Sequence, residues 1–319
     1  MRLVRAELRR IRLRTVSWLV LGLLLVVGAG FVATAWDDAR PPTAVERAAA
    51  HEAYESDVRM VADMTESCHA MLAKNPDENL DCDIEKPVEQ TYVDAGRTFV
   101  QAATEATDGL AVPLAVAALV AAVSLVTAEF GARTMATWLV VAPRRTRVVL
   151  GKTAAATIAS APAAVFCVLA TILGLAALYA GYGRPLGAIA SPVLETLGRE
   201  LVLVVLAVVA GTGLAFALRH VTAVLGVTVW WVIAVEVTLP IVLPRWTPVT
   251  IAANVRAWTE GGATYSYEQC APDPADPLVP YCTDIERVVS AGQGAVALVI
   301  VALLLGMCGL LVFRHRDVT

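Results

Sequence analysis

The segment "AEFGARTMATWLVVAPRRTRVVLGKTAAAT", residues 128–157, lies between two long apolar runs. It carries four arginines, one lysine, a tryptophan and a proline. Charged side chains are costly inside a bilayer, so a very hydrophobic chain is expected to keep such a segment outside the lipid. The segment therefore predicts a link between two membrane spans, and it raises the question of what that link binds.

The composition supports a membrane protein. The chain has 319 residues, of which 57% are hydrophobic and only 17% are charged. A bilayer core of ~30 Å requires ~20 mostly apolar residues for a helical span. Six runs meet this requirement, and they are residues 16–36, 110–128, 153–181, 201–218, 222–243 and 291–313. The sequence predicts an all-α membrane protein in which residues 1–319 form a single transmembrane domain with six helices.

The charges predict the orientation of these spans. Basic side chains concentrate before the first span, between spans 2 and 3, after span 4 and at the C-terminus. Residues 37–108 instead hold 17 acidic and 6 basic side chains. Under the positive-inside rule, both termini are cytoplasmic, whereas residues 37–108 and 244–290 are extracellular. We therefore expect a multi-pass protein of a bacterial plasma membrane.

The N-terminal stretch "MRLVRAELRRIRLR" places apolar residues among arginines. This pattern is typical of an interfacial helix on anionic lipid, although a simple basic orientation signal has the same composition. The small residues "ATA" at 33–35 resemble a signal-peptide cleavage site. However, the apolar run is longer than a signal core of about 7–15 residues, which favours a retained first span.

Four cysteines fall in the two predicted outer segments, at Cys68, Cys82, Cys270 and Cys282. Their location outside the spans fits an oxidising exterior. The simplest pairing is Cys68–Cys82 and Cys270–Cys282, although four cysteines allow three connectivities. A metal site built on Cys68, His69 and Cys82 lacks the Cys-x-x-Cys spacing of structural zinc sites, so we expect none.

The two outer segments differ in composition. Residues 37–108 have helical composition and predict an extracellular helical insertion closed by a disulfide. Residues 244–290 contain the proline-rich stretch "APDPADPLVPY", which predicts an irregular loop.

The sequence contains no convincing catalytic or nucleotide-binding motif. The "GKT" at 151–153 would need a glycine five residues before Gly151 to cradle phosphates, and Thr146 stands there. The "GTG" at 211–213 is more typical of close helix packing. An intramembrane hydrolase lacks a catalytic set. We therefore expect no enzyme activity, cofactor or metal in this chain, and no nucleic-acid partner.

One acid, Glu236, lies within a predicted span, in "WWVIAVEVTLP". Such residues usually face a bundle interior or a water-filled cavity. Glu236 is therefore a candidate pathway residue, and the alternative is a protonated or hydrogen-bonded packing acid.

The quoted segment itself predicts a short amphipathic helix. Met135, Trp138, Leu139 and Ala142 share one helical face, and Pro143 ends the pattern before a group of arginines. The face could lie passively on lipid. An apolar face with cationic flanks is also typical of docking into a groove on a partner protein.

These residues resemble the signature of type-2 ABC transporter permeases, a family of six-span subunits whose link between spans 2 and 3 forms a coupling helix. The positions that match the family pattern are Glu129, Thr134, Leu139, Pro143, Arg145 and Lys152. Arg133 stands where the family has glycine. The N-terminal stretch is similar to the family's elbow helix, and "LPRWTPVTIAANVRAW" in residues 244–290 is similar to its partly re-entrant segment.

The resemblance implies a permease subunit of an ATP-driven exporter, coupled through residues 130–147 to a separate ABC ATP-binding subunit that holds ATP and magnesium. A second permease chain, identical or different, and membrane lipid would be its other partners. The coupling residues that it implies are Glu129, Arg133, Thr134, Met135, Trp138, Leu139, Pro143, Arg144, Arg145, Arg147 and Lys152. The alternative function is a non-transporting polytopic protein whose disulfide-stapled outer loops bind a partner, as an assembly or immunity factor would.

Overall fold

The fold is taken from a computed structural model, in which the described residues are 2–74, 81–93, 96–132, 144–187, 190–272 and 280–316. The described residues are mostly helical, at 82%. Within these residues, six helices are long and apolar enough to cross a membrane. In chain order, spans 1 to 6 are Thr15–Ala39, Phe99–Gly131, Arg145–Gly181, Val193–Leu218, Val221–Val242 and Ala291–His315. The six predicted spans are thereby confirmed, and the chain is a multi-pass membrane protein.

Several spans extend beyond the predicted apolar runs. Span 2 begins at Phe99 instead of residue 110, and span 3 begins at Arg145 instead of residue 153. A helix continues past the hydrocarbon because polar residues can propagate its backbone hydrogen bonds, so hydropathy alone locates only its apolar middle. Pro113 and Pro162 lie inside spans 2 and 3 without ending them, as membrane helices tolerate.

Four further helices and one hairpin complete the described structure. The N-terminal helix is Arg2–Leu13, and the loop helix is Ala44–Lys74. A short helix covers Glu89–Val93, and the return helix is Ile251–Glu260. Span 5 changes to a π-helical turn at Val232–Val237 and resumes as Thr238–Val242, and a 3₁₀ turn at Pro244–Val249 follows it. Span 4 belongs to the longer helix Ala190–Leu218, and span 1 contains the helices Thr15–Thr34 and Trp36–Ala39.

Residues 262–290 contain a two-stranded antiparallel hairpin that the sequence analysis did not predict. Its strands are Gly262–Pro272 and Pro280–Ser290, with Gly262 opposite Ser290 and Cys270 opposite Cys282. The strand alternates polar residues with tyrosines in "GATYSYEQC", which is a two-residue period. The prediction of an irregular loop was based on the neighbouring prolines, and it is wrong for the paired residues. Residues 273–279, between the strands, lie outside the described residues.

The chain divides into two compact units. The first comprises residues 1–31, 103–174 and 188–319, and the second comprises residues 32–102 and 175–187. In the first unit, spans 4 and 6 pack backbone to backbone, because a Cβ atom added at Gly213 or at Gly309 would clash with main-chain atoms of the other span. Small residues at such contacts are the usual means of close helix approach in membranes. The packing role predicted for "GTG" is therefore confirmed.

The second unit has a small core of its own. Phe99 and Tyr179 are buried and meet edge to face with ring centroids 5.8 Å apart. The Tyr179 hydroxyl donates to the Arg97 carbonyl oxygen at 2.9 Å, and Arg97 also pairs with Asp38 at 2.6 Å. The second unit thus joins the end of span 1 to the start of span 2 by specific polar contacts.

Candidate functional site at the basic end of the spans

Five of the predicted coupling residues lie in the described structure. They are Glu129, Arg144, Arg145, Arg147 and Lys152. The other six lie outside the described residues, within 133–143, and they are Arg133, Thr134, Met135, Trp138, Leu139 and Pro143. The coupling helix therefore stays a prediction. What the structure does describe is how the two flanks of residues 133–143 are held.

The first feature of these flanks is a buried group of charges, named here the ion network, formed by Glu7, Arg10, Glu129 and Lys152. The Lys152 Nζ atom lies 2.9 Å from Glu7 Oε1 and 2.8 Å from Glu129 Oε2. Arg10 Nη1 lies 2.8 Å from Glu129 Oε1. Glu7, Glu129 and Lys152 are each at most 2% exposed. The network joins the N-terminal helix to the end of span 2 and the start of span 3.

The ion network contains two acids and two bases, so its formal charges cancel. Charges in a low-dielectric environment are tolerated only when they are paired and hydrogen-bonded, and removing one partner costs about 3–5 kcal/mol. Arg14 adds a further anchor, because its Nη1 donates to the Ser124 carbonyl oxygen at 2.8 Å. The N-terminal helix is therefore fixed to the bundle by side chains and is not held by lipid alone.

The second feature is an aromatic cluster of Phe130, Phe216 and Phe313, from spans 2, 4 and 6. The Phe216 and Phe313 rings have centroids 4.8 Å apart, and Phe130 meets both edge to face at 6.1 and 6.2 Å. Arg219 lies 5.5 Å above the Phe130 ring, and Arg145 lies 5.8 Å above the Phe313 ring. Offset aromatic pairs and cation–π contacts of this kind stabilise beyond simple area burial.

Arg145 also closes the end of span 6. Its Nη1 group donates to the carbonyl oxygens of Phe313, Arg314 and Arg316 at 2.7, 3.0 and 2.7 Å. The last carbonyls of a helix lack intrahelical donors and carry partial negative charge, so a guanidinium is well suited to them. Arg144 and Arg147, in contrast, are exposed. The three described arginines of the segment thus divide into one that binds within the chain and two that are exposed.

Together these contacts hold residues 133–143 from both sides. On the N-terminal side, Glu129 belongs to the ion network and Phe130 to the aromatic cluster. On the C-terminal side, Arg145 is bound to span 6 and Lys152 to the N-terminal helix. We name this layer of contacts the basic end. The residues that flank 133–143 thus contact the N-terminal helix and spans 2, 3, 4 and 6.

Glu236, the predicted pathway residue, lies elsewhere and makes three hydrogen bonds. Its Oε1 atom accepts from Trp231 Nε1 at 2.7 Å and from the Ile251 backbone N–H at 2.9 Å. Its Oε2 atom accepts from the Ala252 N–H at 2.8 Å. These amides begin the return helix, where the helix dipole favours a negative charge. The contacts support the hydrogen-bonded alternative, and the pathway role stays a prediction.

Both predicted disulfides are confirmed, because Cys68 is bonded to Cys82 and Cys270 to Cys282. Glu268 lies beside the second disulfide, and its carboxylate and the two sulfurs fall within 4.8 Å of one another. The sulfurs are already bonded to each other, so they provide no thiolate for a metal ion.

Glu7, Arg10 and the aromatic cluster were not predicted from the sequence. One signal was present, because Glu7 is the single acid among the six arginines of the first 15 residues. Anionic lipid repels a negative charge at that position. The acid therefore indicates a basic partner within the protein. No signal in the sequence identified Lys152 as that partner, 145 residues away.

Comparison with known proteins adds no assignment, since no protein-family model, curated protein or solved structure matches this chain.

Proposed function

We propose that this chain is the membrane-spanning permease subunit of an ATP-driven ABC exporter, coupled through residues 130–147 to a separate ATP-binding subunit. The observation that carries the proposal is the anchoring of both flanks of residues 133–143 in the basic end. A passive surface turn needs no such attachment, whereas a segment that transmits force does. The order of residues that resembles the permease signature supports the same assignment.

In the proposed mechanism, the partner ATPase holds ATP and magnesium, and this chain performs no bond chemistry. Two permease chains enclose the pathway, and each ATPase contacts residues 133–143 from the cytoplasm together with the exposed Arg144 and Arg147. Closure of the ATPases pushes on the segment. Arg145 and Lys152 carry the displacement into span 6 and the N-terminal helix. The spans then move as rods, because a membrane helix satisfies its backbone hydrogen bonds internally.

The test is co-purification with an ABC ATPase encoded beside this gene, before and after Trp138→Asp with Leu139→Asp. We expect the double substitution to abolish retention of the ATPase, because two carboxylates cannot enter an apolar groove without a large desolvation cost. The matched control is Met60→Asp with Met64→Asp in the loop helix, which should leave retention unchanged. Equal retention in the wild type and in the Trp138–Leu139 variant would rule out the coupling function.

The proposed orientation has its own test. With both termini in the cytoplasm, a single cysteine placed at Thr319 should resist a membrane-impermeant maleimide in intact cells and react after lysis. A cysteine placed at Glu66, in the loop helix, should react in intact cells. Both measurements require a background in which the native cysteines are replaced. The opposite labelling pattern would reverse the topology and remove the basic end from the cytoplasm.

A second candidate function is supported by the loop helix Ala44–Lys74. None of its residues is buried, and Met60, Met64 and Met71 are 51, 44 and 54% exposed. Their spacing places the three methionines on one helical face, and methionine surfaces adapt readily to different partners. A non-transporting protein that binds an extracellular partner through this face is the alternative. It predicts that Met60→Asp with Met64→Asp abolishes function, whereas Trp138→Asp with Leu139→Asp preserves it.

A further inference from the structure

Spans 2 and 4 bring two acids to the same level of the first unit. Leu119 and Gly211 touch, because a Cβ atom added at Gly211 would lie 3.0 Å from the Leu119 carbonyl oxygen. Ala111 and Leu203 share one hydrophobic cluster with Val255 and Leu298. In both pairs the residue numbers differ by 92, as expected for two helices packed in parallel at constant register.

The same register pairs Asp108 with Glu200. Each acid lies 11 residues before the contact between Leu119 and Gly211, and 11 residues correspond to about three full helical turns. Asp108 and Glu200 therefore project from the same faces as Leu119 and Gly211, towards the opposite span. Each also lies one turn from the shared cluster of Ala111 and Leu203. By this register the two carboxyl groups, named here the acid pair, lie on the facing sides of spans 2 and 4, one turn from that cluster.

The acid pair is not satisfied by the described residues around it. Glu200 is 1% exposed, and neither of its carboxyl oxygens has a hydrogen-bond partner there. The Oδ1 atom of Asp108 is also buried without one. A buried polar group without a hydrogen bond costs about 1–3 kcal/mol in proteins, and more when it is charged. Three buried carboxyl oxygens therefore lack a donor among the described residues.

The nearest cations are bound elsewhere. Arg199 precedes Glu200 in the chain, but its guanidinium pairs with Glu195 and donates to the Thr259 carbonyl oxygen at 3.1 Å. Arg256, on the return helix, pairs with Glu260 at 3.2 Å. Glu260 adds to the negative potential that acts on Asp108. The charge of Arg199 opposes the effect of Glu260 on Asp108, but no described cation forms an ion pair with Asp108 or Glu200.

We infer that Asp108 and Glu200 form a binding site for a primary ammonium group. An ammonium has three N–H donors in a compact head, which matches the three orphan oxygens in number, and its positive charge is opposite in sign to that of a carboxylate. Asp108 is only partly buried, so the site has an open side. As a cargo site, it rests on the proposed transport function and predicts amphiphilic cargo with a primary amine. Binding itself requires neither nucleotide nor an ATPase, so the two proposals can fail independently.

The experiment measures the melting temperature of the full chain in detergent at neutral pH and constant ionic strength. The probes are n-hexylammonium, tetramethylammonium and sodium, all as chlorides. A ligand that binds only the folded state raises the melting temperature with its concentration, which yields a dissociation constant. We expect n-hexylammonium alone to raise it, because tetramethylammonium lacks N–H donors and sodium lacks the apolar tail and the directional donors.

Glu200→Gln is expected to weaken n-hexylammonium binding at least about tenfold, since one charge-assisted interaction is lost. Asp108→Asn should weaken it as well, and provides the second variant if Glu200→Gln does not fold. Glu286→Gln, which removes an exposed acid from the hairpin, is the control and should bind as the wild type does. Three outcomes would overturn the site: no response of the wild type, an equal response to all three cations, or unchanged binding in both acid-pair variants. If the wild type does not respond to any of the three cations, Asp108 and Glu200 form a buried acid pair that binds no cation.

Discussion

The ion network and the acid pair are two groups of largely buried ionisable side chains in the same unit, and they differ in whether their carboxyl groups form ion pairs. In the ion network, Lys152 lies within 2.9 Å of two carboxylates, and Arg10 neutralises the second. In the acid pair, Glu200 is equally buried but has no described hydrogen-bond partner. The first arrangement holds helices together, whereas the second leaves capacity for a ligand. Burial of a charge thus indicates structure or binding according to its partners.

The largest expected effect comes from removing the shared cation of the ion network. Lys152→Met leaves Glu7 and Glu129 buried around an apolar side chain, so we expect the free energy of unfolding to fall by about 3–5 kcal/mol. The measurement is unfolding of the purified chain in mixed micelles by increasing sodium dodecyl sulfate. Arg147→Met, on the exposed side of the same helix, should change the stability by less than about 0.5 kcal/mol. Similar losses in the two variants would show that the network contributes no stability.

A substitution in the acid pair should raise the free energy of unfolding, in contrast to Lys152→Met. Glu200→Leu replaces a buried carboxyl that lacks a partner with an apolar side chain of similar length. We expect the free energy of unfolding to rise by about 1–3 kcal/mol in the absence of any ligand, since the cost of burying the polar group disappears. The same micelle titration measures it, with Glu286→Leu on the hairpin as the exposed control. A stability loss in Glu200→Leu would mean that Glu200 has a structural partner, and the contrast between the two sites would disappear.

Glu236 provides an intermediate case, because its carboxylate is satisfied by Trp231 and by two backbone amides of the return helix. Glu236→Gln removes the negative charge and one acceptor, so we expect a stability loss of about 1 kcal/mol. Amide hydrogen exchange should increase first in residues 251–260. Unchanged exchange there would show that the Glu236 carboxylate does not stabilise the start of the return helix. Wild-type transport activity in the same variant would remove the pathway role instead.

These contrasts also show what the sequence could and could not predict. The spans follow from continuous apolar runs, and the disulfides follow from two cysteines in each outer segment, because both patterns are local. The pairing of Glu7 with Lys152 depends on how the N-terminal helix lies against spans 2 and 3, which no local pattern contains. Glu200 was overlooked because it lies at the edge of an apolar run, where charged residues usually reach water. Only the register of two packed helices reveals that it is buried.

The smallest expected effect concerns a charge pair that water can reach. His51 Nδ1 lies 2.9 Å from Glu89 Oε1, and this hydrogen bond raises the pKa of His51 above its usual value. Both side chains are more than half exposed, so solvent weakens the pair. Because the folded protein binds the proton more tightly than the unfolded chain, the stabilisation is complete below about pH 6.5 and disappears as the pH rises through the folded pKa.

Glu89→Gln should therefore lower the pKa of His51 towards its ordinary value, as measured by nuclear magnetic resonance of histidine-labelled protein. It should leave the stability in micelles almost unchanged. A His51 pKa that does not move would assign the shift to Glu55, which lies 3.4 Å from the other ring nitrogen. A stability loss as large as that of Lys152→Met would show that exposure to water does not separate this pair from the ion network. The geometry of each charge pair, and not its exposure to water, would then determine how much it stabilises the protein.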